Sequence, residues 1–286
     1  MNDSYTDEID DSESRCGCRR IGDKAVGVYG EMPRTTSTNC RAKLVMRSKS
    51  PLATACDSTS DPPMPRAQAP ALRNDSAVST VTPPVGIYHR MWGAATHDQA
   101  AGVHRPLLAT AMIFAPLTAT EPSPSPESLQ VVITLDHCLM GQREIQQLRQ
   151  RVLAAVQVPI ESLLVLFSHT HAAGMMTHDR VEMPGGELIP GYLERLNTTV
   201  AELVQQALSA LRPATIQYAQ GRCDLAAQRD FWDDQRRMFV CGYHPGAAAD
   251  DTVIAARAVA DDGQTLATIV NYACHPTTLA WENQLI

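Results

Sequence analysis

The sequence predicts an α/β fold, a layered mixed β-sheet with flanking helices. Three observations carry that expectation: β-branched runs of strand length, helical periodicities between them, and their alternation along the chain. Residues 1–74 lack sustained apolar periodicity and residues 51–70 are rich in Pro, Ser, Thr, Asp and Ala, so a disordered leader or a mis-assigned start is expected there. Its cysteines Cys16, Cys18, Cys40 and Cys56 lack the paired Cys-x2-Cys spacing of common zinc modules. The folded domain is expected over residues 75–286. Order is expected to begin near Val78, where Val81-Thr82-Pro83-Pro84-Val85-Gly86 joins strand formers to two prolines that hold the chain extended.

From there residues 106–114 read as a strand and 123–126 as a Pro/Ser turn. Val131-Val132-Ile133-Thr134-Leu135 suits a buried strand. Helical spacing covers residues 142–156, a second buried strand 163–167, a long amphipathic helix 192–211, and a third strand 214–219 follows Pro213. Residues 252–259 and 265–272 flank Asp261-Asp262-Gly263-Gln264 and read as a β-hairpin. In an α/β sheet of this kind, ligands gather at the carboxyl ends of strands.

Composition narrows the partners. With 24 basic against 31 acidic side chains and a formal net charge of −7, the chain has no global footprint for nucleic acid or an anionic membrane. No apolar run reaches the roughly 18 to 20 residues that span a bilayer. The start, MNDSYTDEIDDSESR, is acidic where a signal peptide would be basic and then apolar, so a cytoplasmic location is the default expectation. Without an export signal, most of the eight cysteines read as small buried groups or metal ligands, not disulfides.

Two segments draw attention because each follows a buried strand. Ser168-His169-Thr170-His171 comes directly after residues 163–167. Residues two apart on an extended chain face the same side, so His169 and His171 can share one pocket, and neutral imidazole is a favoured zinc ligand. A structural, hydrogen-bonded pair is the plain alternative. In Ala172-Ala173-Gly174, the glycine would let the backbone approach a ligand closely or serve an ordinary turn. Asn271-Tyr272-Ala273-Cys274-His275-Pro276-Thr277-Thr278 repeats the arrangement, His275 following the strand 265–272 and Pro276 stiffening the chain beyond it. Cys274 faces away from its neighbour His275 and reads as a buried structural thiol. In Gln228-Arg229-Asp230-Phe231-Trp232, Arg229 could present a planar donor fork to an oxygen-rich group or form a surface ion pair. Asp136 could orient a ligand imidazole or cap the next helix.

These segments together resemble the neutral/alkaline ceramidases, zinc amidases that cleave the N-acyl bond of ceramide. Thr82-Pro83-Pro84-Val85-Gly86 is similar to the family's opening Thr-Pro-x-x-Gly strand, and Gly102-Val103-His104-Arg105-Pro106-Leu107 to its Gly-Ile-x-x-Pro-Leu segment. Ser168-His169-Thr170-His171 resembles its zinc-binding His-Thr-His. Residues 223–229 resemble the stretch ending in its Asn-Arg, with Gln228 in place of asparagine, and residues 271–277 its second histidine motif. Trp281-Glu282-Asn283-Gln284-Leu285-Ile286 resembles the Asn-x-Leu-Ile that follows. The likeness covers residues 78–286. It implies His169 and His275 as zinc ligands, His171 as a contact to the substrate or the developing oxyanion, Arg229 as a substrate-binding donor, and a ceramide-like N-acyl lipid as substrate. The family's Gly-Pro after the first histidines is replaced by Ala172-Ala173-Gly174.

The remaining zinc ligands of the family, a glutamate and a tyrosine, lie downstream of the second histidine motif. The chain is therefore expected to be the N-terminal part of such a hydrolase domain, incomplete at its C-terminus. A catalytic zinc usually takes three protein ligands plus water, so two imidazoles alone are expected to bind zinc weakly and support no turnover. The rival expectation is a folded or truncated product with no hydrolase activity. Relatives implied by the resemblance are often exported, in contrast to the acidic start. Two other His-x-His hydrolases are excluded: the metallo-β-lactamase pattern wants Asp and His just after the second histidine, where Ala173 and Gly174 stand, and a (β/α)8 barrel needs seven more units.

Overall fold

The protein is described here by a computed structural model that covers residues 44–47, 72–117, 124–277 and 279–286. The leader expected over 1–74 and its four cysteines lie outside these residues, apart from strand β1 (Leu44–Arg47) and the start of β2 (Leu72–Thr80), which begins ahead of Val78.

Strand β3 (Leu108–Pro116) is buried along most of its length, as an interior strand must be when both faces are covered. It pairs with β2 on one side and with β4 (Gln130–Leu135) on the other, both antiparallel. Helix α1 (Gln142–Val156) then crosses over to β5 (Leu163–Phe167), which lies parallel to β4, because a parallel neighbour cannot be reached by a tight turn. In α1 the buried residues Glu144, Leu148, Val152 and Val156 recur every fourth position and form one stripe. Gln157 ends the helix in the left-handed conformation (φ 54°), its N–H donating to the Leu153 carbonyl. Helix α2 (Ile189–Ser209) carries Pro190 in its first turn, where the missing N–H costs nothing, and packs Tyr192, Leu196, Val200 and Leu203 inward.

The chain continues through β6 (Arg212–Arg222), β7 (Asp230–Asp233), β8 (Met238–Cys241), β9 (Thr252–Ala260) and β10 (Thr265–Tyr272). The main sheet runs in the order β1-β10-β9-β6-β2-β3-β4-β5, with β7 and β8 forming a separate hairpin. The layered mixed sheet with flanking helices is thus as the sequence predicts, and β4–β5 is its one parallel pair among the described residues. Asp136 neither caps a helix nor reaches an imidazole: its carboxylate accepts from Leu108 N at 3.0 Å, and Gly141 precedes α1.

Alternation along the strands divides the interior. Ala109, Ala111 and Ile113 of β3, Val131, Ile133 and Leu135 of β4, and Leu163, Val165 and Phe167 of β5 face the two helices. On the opposite face, Met112, Phe114 and Val132 meet Ala214, Ile216, Ala258, Leu266 and Ile269 from the other half of the sheet. The sheet is therefore curled on itself, and β1 at one edge comes against β4 and β5 at the other. This curl carries the end of β10 toward the end of β5. No helix among the described residues is long and apolar enough to cross a membrane.

Candidate functional site

His169 and His171 leave β5 beside the residues that leave β4, since the parallel ladder ends with Leu135 opposite Phe167 and is extended by Ser168 N donating to Leu135 O at 2.9 Å. His169 takes a positive φ of 57°, a conformation costly for a residue with a Cβ. That turn aims its ring back at β4, where Nδ1 donates to the Cys138 carbonyl at 2.8 Å. A carbonyl only accepts, so the His169 proton sits on Nδ1 and the lone pair on Nε2, 4.0 Å from Cys138 Sγ.

The following loop is pinned from beneath. His89, 2% exposed, donates from Nε2 to the Ala172 carbonyl at 3.0 Å and accepts at Nδ1 from His97 Nε2 at 3.1 Å. Burial lowers the His89 pKa; the bond to Ala172 opposes the shift and His97 adds to it. Gly174, at φ 75°, lies so close to the segment around His89 that a Cβ would meet the Tyr88 carbonyl at 2.7 Å. Its freedom from a side chain serves the loop's packing against the protein's own backbone. The indole of Trp92 covers the His171 ring, centroids 4.4 Å apart.

His275 reaches the same place from β10. Its Nε2 is 2.8 Å from His171 Nε2, and its ring centroid is 4.7 Å from that of His169. Arg229, just ahead of β7, donates from Nη2 to His275 Nδ1 at 2.5 Å. Guanidinium has no lone pair to offer, so His275 carries its proton on Nε2 and donates it to His171. The segment before Arg229 is held by Tyr272, whose hydroxyl accepts from Ala226 N and donates to Cys223 O, each at 2.8 Å; burial above all pushes its pKa up to about 12, opposed by the Ala226 bond and aided by Cys223 and Cys274. Cys274 is half-buried and makes a weak contact of 3.7 Å from Sγ to the His275 carbonyl.

The four residues singled out by sequence, His169, His171, His275 and Arg229, thus lie together. Sequence reasoning missed a fifth, Cys138, which is 2% exposed and has Sγ 3.5 Å from His169 Nδ1 and 4.0 Å from Nε2. Cys138, His169 and His171 place ligand atoms within 4.8 Å of one another, the arrangement among the described residues that could hold a metal ion. The available signal was its position directly beyond β4, the strand parallel to the one that delivers the histidines.

No family model matches the sequence, and no curated protein matches it. Two solved structures are similar in fold. One is neutral ceramidase from Pseudomonas aeruginosa, 16% identical, with a TM-score of 0.49, covering 68% of this chain and 30% of the ceramidase. The other is a ceramidase complexed with C2, 15% identical, with a TM-score of 0.51 and the same coverage of 68% and 30%. The chain spans about 30% of the length of these neighbours, and over that stretch it shares the fold of a ceramidase.

Proposed function

We propose that this chain carries the histidine side of a zinc-dependent amidase site whose substrate is the N-acyl bond of a ceramide-like lipid. The observation that supports this most is the meeting of His169, His171, His275 and Arg229 from three separate strand ends. The donor set suits zinc: imidazole nitrogens, one with its tautomer set by a backbone carbonyl, on rigid strand exits. His169 and His275 would hold the ion, which lowers the pKa of a bound water to about 7 and polarises the amide carbonyl.

The side chains do the rest. His275 offers its Nε2 lone pair only when the proton has moved to Nδ1, and Arg229 must then leave that nitrogen. The guanidinium is thereby released beside the site as a donor for the substrate's amide oxygen. His171, no longer accepting from His275, can hold a proton against the reacting group, while Trp92 shields one face of its ring from water.

The test is zinc-dependent release of fatty acid from a fluorescent short-chain ceramide by the full chain. Turnover that needs zinc and is abolished by His169→Ala is expected. Turnover without metal, or full activity in the His169→Ala protein, overturns the reading.

A further inference from the structure

We propose that Cys138 is a metal ligand, its thiolate binding the same ion as His169. The proposal rests on the zinc reading above and adds to it a ligand that the family resemblance does not contain.

Cys138 and His169 are brought together by backbone before any side chain turns. They leave β4 and β5, the parallel pair, and the His169 ring is tied to the carbonyl of Cys138 itself. Rotation of either residue is therefore limited to positions near the other. A tetrahedral zinc with bonds of about 2.0 to 2.1 Å to nitrogen and about 2.3 Å to sulfur separates those two atoms by about 3.5 Å. Sγ stands 4.0 Å from His169 Nε2, the nitrogen with the lone pair, and 3.5 Å from Nδ1, so the thiol must swing toward the Nε2 side to close the set. His171 lies within the same 4.8 Å grouping.

The chemistry favours the thiolate over a passive thiol. Two neutral imidazoles leave the ion's double charge uncompensated, whereas one thiolate removes half of it, and the thiol proton departs to solvent as the bond to metal forms. The soft donor also biases the site toward zinc or cobalt and away from magnesium, calcium or manganese. A site of Cys138 with two imidazoles would give this chain three ligands of its own, and zinc would then bind more tightly than two imidazoles alone allow.

Cobalt(II) is the probe. The cobalt-loaded full chain should show a near-ultraviolet thiolate-to-cobalt charge-transfer band, lost in Cys138→Ser together with about 100-fold or more of the metal affinity, by comparison with the 10–100-fold typical for residues that merely orient a ligand. A second variant, with the other seven of the eight cysteines replaced by serine, should keep the band and guards against a Cys138→Ser protein that fails to fold. Cobalt uptake with tetrahedral visible bands but no charge-transfer band, or a band that survives Cys138→Ser, overturns the role of Cys138 while leaving the histidine site standing. No cobalt uptake by the unaltered chain overturns both.

Discussion

His171 and His275, 104 positions apart in sequence, face each other through their Nε2 atoms at 2.8 Å. Two imidazole nitrogens at that distance share one proton, and Arg229 decides which ring owns it by donating to the far nitrogen of His275. The pair is a hydrogen-bonded clasp when free of metal and becomes open to a ligand only when that proton moves.

Arg229→Ala should therefore tighten zinc binding, by up to about tenfold, since roughly 1.5 kcal/mol of charge-assisted hydrogen bond no longer opposes the change of tautomer. Competition with a chromophoric chelator measures it. If the arginine instead supports the metal form, affinity falls.

Tyr192, on α2, is a stability determinant bonded to His137, the residue before Cys138. Its hydroxyl donates to the Val81 carbonyl at 2.7 Å and accepts from His137 Nε2 at 2.5 Å, all buried. Tyr192→Phe strands both partners and should cost about 1–3 kcal/mol in urea unfolding. A loss well below that range would mean the gap admits water.

Stability should fall on acidification. Burial pushes the fully enclosed His137 down to about 4 from its ordinary 6.5. Below pH 6.5 the unfolded chain takes up a proton that the folded chain refuses, so its contribution is intact above 6.5 and is lost as the pH drops to about 4, some 3 kcal/mol in all. His89 shifts in the same direction. Urea midpoints across that interval should decline less steeply in His137→Gln than in the parent; equal slopes would assign the effect to other groups.

Gly174→Ala should weaken fold and site together. A side chain at φ 75° is strained and its Cβ would stand 2.7 Å from the Tyr88 carbonyl, so a loss of about 1–3 kcal/mol is expected. The shifted loop carries His171 with it, so zinc affinity should drop in the same variant. Unchanged affinity would show that the loop moves without its histidine.

Much of this arrangement is legible in the sequence where it depends on neighbours along the chain. The β-branched run at Val131 and the fourfold spacing from Glu144 to Val156 announce their elements because burial and periodicity are local properties. The β7–β8 hairpin escapes notice because its residues are mostly exposed and show no alternation toward a core; its turn depends on Asp233 accepting from the Gln235 and Arg236 amides. Arg229 reads more readily as a surface ion pair until the curl of the sheet sets it against His275. Cys138 carries no motif at all, and only the parallel pairing of β4 with β5 gives it meaning. The hydrogen bond between buried Glu144 and His178, at 2.5 Å, is likewise invisible until the loop after β5 folds back on α1; burial raises the glutamate's pKa, but the His178 hydrogen bonds outweigh it and the net shift is downward.

The curl that carries β10 toward β5 has a temporal side. The ring of His275 arrives from β10, which follows β6 and β9 along the chain and pairs far from β5 in sequence, so the complete cluster forms later in folding than any contact within the β4–α1–β5 unit. Only Cys138, His169 and His171 can gather earlier, within the β4–α1–β5 unit. A metal captured there would stabilise that unit first and hold a half-built site open for β10, and its free energy would accrue to every step that follows.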